Sequence, residues 1–214
     1  MEIGIISEGY TDQIVIENIL RGFLNDKNFS ANYLQPQLNI AGNWDKLLKY
    51  CKSNEFKQSF QNNDFVVIQI DTDFMRKKDV PKELIIETQN LSIIELTEKF
   101  KQLLITQIED EFYKIYTNQI IFAIAVDSTE CWFLPIYFSN KPQIRSKTFN
   151  CIDTLNPELT KIEKFYIDKN SKNPTYYDTI SRKFLKPKDL RAYSNLHQSF
   201  KLFFDELESK IGNQ

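Results

Sequence analysis

Histidine, glycine and cysteine are scarce in this chain, and each scarcity removes a chemistry. One histidine in 214 residues, His197, leaves little room for a Ser-His-Asp triad and none for a histidine-rich zinc site. The five glycines, Gly4, Gly9, Gly22, Gly42 and Gly212, fit neither GxGxxG nor GxxxxGK(S/T), so the usual dinucleotide and P-loop modes of binding are excluded. The three cysteines, Cys51, Cys131 and Cys151, are widely spaced and form no CxxC pair. They read as small buried apolar residues of a protein from a reducing compartment. No apolar run nears the roughly 18–20 residues of a membrane span. The N-terminal MEIGIISEG has no basic stretch ahead of its apolar residues, so no secretory leader is expected. The expected location is the cytoplasm. Any catalysis falls to carboxylates, lysines or hydroxyls.

What is present describes a globular chain, with 42% hydrophobic and 26% charged residues. The length suits one domain with an appendage, divided here as residues 1–140 and a mainly helical extension over 141–214. The net charge of −2 hides an asymmetry. Residues 1–140 carry 13 basic and 20 acidic side chains, whereas 141–191 carry 12 basic and 6 acidic. A basic segment after an acidic domain is a footprint for nucleic acid, and equally the pattern of a solvated basic surface.

Residues 2–7 (EIGIIS), 33–40 (YLQPQLNI), 65–70 (FVVIQI) and 119–126 (QIIFAIAV) read as strands. The third is a continuous apolar run of the kind found in sheets covered on both faces, the fourth is another buried strand, and Pro36 pushes the second toward an edge or a bulge. Helical spacing begins at Thr11, with Ile14, Val15, Ile19 and Leu20 on one face. It returns over 45–60 and over 92–109, where Ser92 and Glu95 make a capping box. DSTECWFLPIYF (127–138) reads as helical, 74–85 as a loop, and 176–185 and 194–211 as helices of the extension. This alternation predicts an α/β fold with a mostly parallel sheet between helix layers.

In such a sheet, ligands bind beyond the carboxyl ends of the strands. Three predicted strands end there in acids: Glu8-Gly9 with Asp12 four residues on, Asp71-Thr72-Asp73, and Asp127-Ser128-Thr129-Glu130. Each has a plain structural reading. Asp12 suits the exposed first turn of a helix, Asp71 and Asp73 suit a turn, and Asp127 or Ser128 suits an N-cap. Their coincidence on one edge points instead to converging carboxylates whose repulsion a divalent cation relieves. Oxygen ligands without His or Cys favour Mg²⁺ or Mn²⁺.

Glu8-Gly9-x-x-Asp12 after the first strand, with Asp71-x-Asp73 after a later one, resembles the TOPRIM domain of topoisomerases, bacterial primases and certain nucleases. Ser128-x-Glu130 is similar to the overcoming-lysogenization-defect (OLD) nucleases. The DSTECWFLPIYF stretch resembles small stand-alone RloB-like TOPRIM proteins of bacterial defence islands. The C-terminal Lys172, Tyr176, Tyr177 and Ser199-Phe200-x-x-Phe203 with Leu207 loosely match their closing motif. The resemblance spans the chain as an order of motifs. It lacks the tyrosine domain, zinc module and ATPase domain of the larger relatives, so it transfers a catalytic domain more than a reaction.

The resemblance implies a Rossmann-like TOPRIM fold and a Mg²⁺- or Mn²⁺-dependent nuclease for DNA or RNA in anti-phage defence. Glu8, Asp71 and Asp73 would hold one cation, and Asp12 and Glu130 a second. Ser128 would orient a ligand or a phosphate oxygen, and Lys172, with Lys164 in reserve, would offset transition-state charge. Glu8 would serve as general acid or base with a single metal. The alternatives are a partner-dependent interaction or sensor module working with a separately encoded ATPase, and a structural α/β protein with incidental acids. Trp132, Phe133, Tyr137 and Phe138 read as core, Tyr176 and Tyr177 as packing residues that can also stack on bases, and His197 as a surface or cap residue.

Overall fold

The computed structural model describes residues 1–25, 28–37, 40–76, 80–87 and 90–212. Four strands, β1 (Glu2–Ile6), β2 (Ser30–Gln35), β3 (Phe65–Asp71) and β4 (Ile120–Ala125), form one sheet in the order β2-β1-β3-β4. Every neighbouring pair is parallel. Eleven α-helices lie among the described residues. The first five are α1 (Tyr10–Leu24), α2 (Trp44–Cys51), α3 (Asn54–Ser59), α4 (Ile93–Ile108) and α5 (Asp110–Tyr116). Six follow β4: α6 (Leu134–Phe138), α7 (Pro142–Arg145), α8 (Cys151–Ile162), α9 (Pro174–Ser181), α10 (Pro187–Ser194) and α11 (Gln198–Lys210). The result is a three-layer α/β arrangement of Rossmann-like type. No helix among the described residues is long and apolar enough to cross a membrane.

Period-two alternation divides the strand residues between two cores. Ile3, Ile5, Phe65, Val67, Ile121 and Ala123 pack against α1 and the helices after β4. Ile6, Val66, Ile68, Ile70, Ile120 and Phe122 pack against α2 to α5. Both faces of β3 and β4 are therefore covered, which is why their sequences read as unbroken apolar runs. The helices after β4 fill the layer beside α1, and Leu155, Leu159, Tyr177, Ile180, Phe200 and Phe203 belong to the same core as β1.

Helix α11 also closes the free edge of β4, which would otherwise offer unpaired backbone groups. Glu206 accepts a hydrogen bond from the Phe122 N–H at 3.2 Å, and Lys210 donates to the Ile120 carbonyl. The Ser199 hydroxyl accepts from the Trp132 indole N–H at 2.9 Å, while Phe200 and Phe203 stack on that indole at 5.1 and 5.6 Å. The closing Ser-Phe-x-x-Phe motif is thus packing around Trp132. At the α1 interface a Cβ on Gly22 would stand 1.9 Å from the Phe184 carbonyl oxygen, so the close approach of these backbones requires glycine.

Several boundaries differ from those read in the sequence. The second strand lies at 30–35 rather than 33–40, stops before Pro36 and is indeed an edge strand; positions 38–39 fall outside the described residues. The helix expected over 45–60 is two helices, because the Ser53 hydroxyl accepts from the Phe56 N–H and starts a new one. The 74–85 stretch holds short 3-10 turns at Thr72–Arg76 and Lys82–Leu84, with 77–79 outside the described residues. Residues 127–138 form a 3-10 turn (Thr129–Phe133) and then α6. The capping box on α4 is formed as expected.

Cys131 and Cys151 are not independent thiols. They are joined in a disulfide, because the 3-10 turn after β4 and the start of α8 pack side by side with the two Cα atoms 5.1 Å apart. Cys51 alone stays a free buried thiol, pushed up to about 12 by burial. All three cysteines are buried as expected, and two of them are paired.

Candidate functional site

The adjacency of β1, β3 and β4 brings their carboxyl ends to one place. Glu8 follows β1, and its Oε1 accepts from the backbone N–H of Asp71 at 3.0 Å. Gly9 then starts α1, so Asp12 sits in the first turn. Its side chain is not exposed, as a plain helix-start aspartate would be; the residue is 2% accessible. Asp71 ends β3 at 6% exposure. One of its oxygens accepts from the Gln69 amide at 2.8 Å and from both the backbone and hydroxyl of Thr129 at 3.0 Å. The Asp73 N–H donates to the Asp127 carbonyl at 3.1 Å, tying the ends of β3 and β4 together.

After β4, Asp127 adopts a left-handed φ of 69°, a conformation that non-glycine residues hold only under local constraint. The constraint is visible: its N–H donates to the Thr72 hydroxyl at 2.8 Å and its carboxylate pairs with Arg76. Ser128 occupies the N-cap position of the following 3-10 turn, but its side chain makes no cap bond. Glu130 is fully buried. Its Oε1 takes the Lys172 ammonium at 2.7 Å and the hydroxyl of Tyr177.

Asp71, Asp73, Ser128, Glu130 and Lys172 line one cavity of about 430 Å³ together with Arg76, Asp127 and Lys169. Glu8 adjoins it through Asp71, and Asp12 through its electrostatic coupling to Lys172 and Glu130. The residues after β3 and β4 that the sequence singled out thus share this cavity, whereas Glu8 and Asp12 stand beside it and do not line it. Lys164 is not among them; it donates to the Lys161 carbonyl at 2.8 Å on the surface. His197 is buried rather than on the surface. It stands at the N-cap position of α11 without capping it, and its Nε2 donates to the Lys147 carbonyl at 3.0 Å. Tyr176 stacks on Phe165 at 4.1 Å.

The electrostatics divide the acids into two kinds. Burial raises Asp12, and the Glu130 charge adds to it, while Lys172 opposes. Burial likewise raises Asp71 well above the usual carboxylate range, reinforced by Asp12 and Glu8. Glu130 goes the other way. Burial would push it up, yet Lys172 together with Ser128 and Tyr177 holds it at about 2. Lys172 is raised in turn, because these carboxylates outweigh its own desolvation.

As donors for a hard cation, Glu8, Asp12, Asp71 and Asp73 form an all-oxygen set. Two buried carboxylate oxygens, Asp12 Oδ1 and Glu130 Oε2, have no hydrogen-bond partner, and an ion would satisfy such atoms. Glu130 is the weaker ligand of the predicted set, because its other oxygen is already engaged. Among the described residues, the one trio of metal-ligating side chains with donor atoms within 4.8 Å of one another is Asp127, Cys131 and Cys151. Its sulfurs are joined to each other and provide no thiolate.

Gln69, Thr129, Arg76 and Tyr177 were not assigned to the site from the sequence. Gln69 carried a signal, being the only polar side chain inside the apolar run of β3. No family model, curated protein or solved structure matches the chain.

Proposed function

We propose that the chain is a divalent-cation-dependent phosphodiester hydrolase acting on nucleic acid, with a TOPRIM-type catalytic domain. The observation that carries this reading is the burial of Asp12, Asp71 and Glu130 just past the ends of adjacent parallel strands, with Glu8 and Asp73 beside them. Burying three carboxylates, of which only Glu130 pairs with an ammonium, costs stability that a structural site has no reason to bear. A bound Mg²⁺ or Mn²⁺ would stabilise charge on the scissile phosphate and generate a nucleophile from water. Glu8, Asp12, Asp71 and Asp73 would hold it. Ser128, which lines the cavity, would orient a phosphate oxygen. Lys172, fixed by Glu130 and Tyr177, would offset charge that develops on the phosphate. The resemblance of the motif order to small defence-island TOPRIM proteins adds a cytoplasmic anti-phage role.

The test is incubation of purified protein with plasmid DNA, single-stranded DNA and tRNA, in Mg²⁺, Mn²⁺ or EDTA. Metal-dependent cleavage that Asp71→Ala and Glu8→Ala abolish is the expected result. Absence of cation binding by calorimetry, together with intact substrates, overturns the proposal.

A second reading has its own support. Arg76 already neutralises Asp127 and Lys172 already pairs with Glu130, and no predicted carboxylate trio is drawn tightly together. A module that a partner ATPase must open would have this arrangement. It predicts an inert isolated chain that becomes active on co-expression with that partner.

A further inference from the structure

We propose that the cavity takes a single-stranded nucleic acid, with Phe149 as the stacking platform for the base beside the reacting phosphate; this rests on the hydrolase reading and specifies its substrate. Of the large apolar side chains left exposed among the described residues, Phe149, at 57%, is the one that lines the carboxylate cavity. The rest of that lining is dominated by charge, with Arg76, Lys169 and Lys172 interspersed among the acids. Proteins hold unpaired nucleotides with cations on the backbone and an aromatic ring under a base, and Arg76, Lys169, Lys172 and Phe149 supply both kinds of group here, beside four acids that a cation would offset.

Phe149 is held in place by the fold. It lies in the connection between α7 and α8, and both ends of that connection are tied. The buried His197 donates to the Lys147 carbonyl at 3.0 Å. The Asn150 carbonyl accepts from the Thr154 N–H and hydroxyl at 3.1 and 2.9 Å. The next residue, Cys151, is bonded to Cys131, which directly follows Glu130. The backbone that carries Phe149 is therefore tied to the segment that holds the buried glutamate. Such a platform loses little entropy when a base stacks on it. Lys147 places its ammonium 5.8 Å from the ring centroid, where it would reach the phosphate next to a stacked base. Lys169 is occupied only by an exposed pair with Asp153, and pairs of that kind open at small cost.

The single-strand preference follows from depth and from stacking. Asp71 and Glu130 are almost wholly inaccessible, so a phosphate must descend into the cleft to meet them. Inside a duplex both faces of each base are already stacked on neighbours, leaving none for Phe149. The volume of about 430 Å³ is that of a small-ligand pocket, which an unpaired strand can enter.

Binding is measured by fluorescence anisotropy in Ca²⁺, with labelled oligothymidylate and oligouridylate, each alone and paired with its complement. Tighter binding of either single strand than of its duplex is expected, and the two arms tell DNA from RNA. Phe149→Ala and Phe149→Leu are expected to weaken single-strand binding about tenfold, whereas Phe149→Tyr retains it. Duplex binding equal to single-strand binding overturns the proposal, as does a Phe149→Leu variant that binds like wild type. Phe149-dependent binding without cleavage in Mg²⁺ or Mn²⁺ supports the proposal while removing the hydrolase reading. Cleavage of duplex plasmid that Phe149→Ala leaves unchanged overturns the proposal and retains that reading.

Discussion

Replacing Lys172 by Met in metal-free protein removes the ammonium from Glu130 while keeping most of the side-chain volume. Glu130 is fully buried, and burial works against its charge. Lys172, Ser128 and Tyr177 nevertheless bring it from an ordinary 4.5 to about 2, an interval that converts to about 3 kcal/mol. Breaking a buried ion pair costs about 3–5 kcal/mol, and because the Lys172 side chain is 31% accessible the expected loss is about 2 kcal/mol. For a chain of this length that loss lowers Tm by about 4–8 °C. The sign with pH follows from linkage. A carboxyl whose folded pKa lies below its unfolded one contributes stability that is complete above the unfolded value and lost as pH falls through the folded value. The gap between wild type and Lys172→Met is therefore full at pH 7 and shrinks to roughly half by pH 3. Urea unfolding in EDTA, followed by tryptophan fluorescence over a pH series, measures it. Adding Glu130→Gln to Lys172→Met should recover much of the loss, since no unpaired charge is then buried. A variant as stable as wild type at pH 7, or a gap that does not narrow in acid, refutes the reasoning.

Asp71→Asn keeps an oxygen for Gln69 and Thr129 while removing a raised, repelled charge. It should raise the Tm of metal-free protein by a few degrees, roughly 1 kcal/mol, and abolish any Mg²⁺-dependent rise, both read by thermal shift. Gly22→Ala forces a methyl to within 1.9 Å of the Phe184 carbonyl and should cost about 1–3 kcal/mol or more in urea unfolding. Burial lowers the pKa of His197, so the protonated unfolded state gains on the folded one in acid. Stability should fall below about pH 6.5 by as much as ~1.4 kcal/mol per pH unit. His197→Gln, which retains an N–H for Lys147, should show a shallower fall.

The parallel sheet was legible because β3 and β4 are buried on both faces and carry almost nothing but apolar side chains. The strand-end acids were legible because parallel connections put equivalent ends together, whatever the helices do. The C-terminal third was harder. Helix α8 carries Pro157 in its interior, and α10 is short and mostly polar on its solvent side, so neither shows a long periodic signal. The disulfide joins positions 20 apart in sequence, and only the packing of α8 on the turn after β4 selects that pair. His197 read as a surface or cap residue because it sits beside the apolar stripe of the terminal helix, and it does stand at the N-cap position. Its burial depends on the distant Lys147 carbonyl, which no local pattern announces.

The charge at the strand ends narrows what the site requires. Lys172 is committed to Glu130, and its influence on Asp12 and Asp71 is too small to reverse their upward shifts. Asp12 further retains an oxygen with no partner. A purely structural site would be better served by asparagine at either position, because an amide oxygen accepts the same hydrogen bonds without the cost of burying a charge. The arrangement is short of positive charge, and the two functional readings divide on its source: a divalent ion, or a basic side chain brought by a partner. Stabilisation of metal-free protein by Asp71→Asn follows from either. A Tm that rises with Mg²⁺ or Mn²⁺ in the isolated wild-type chain, and not in Asp71→Asn, follows only from the first, because a partner's side chain is absent from that experiment.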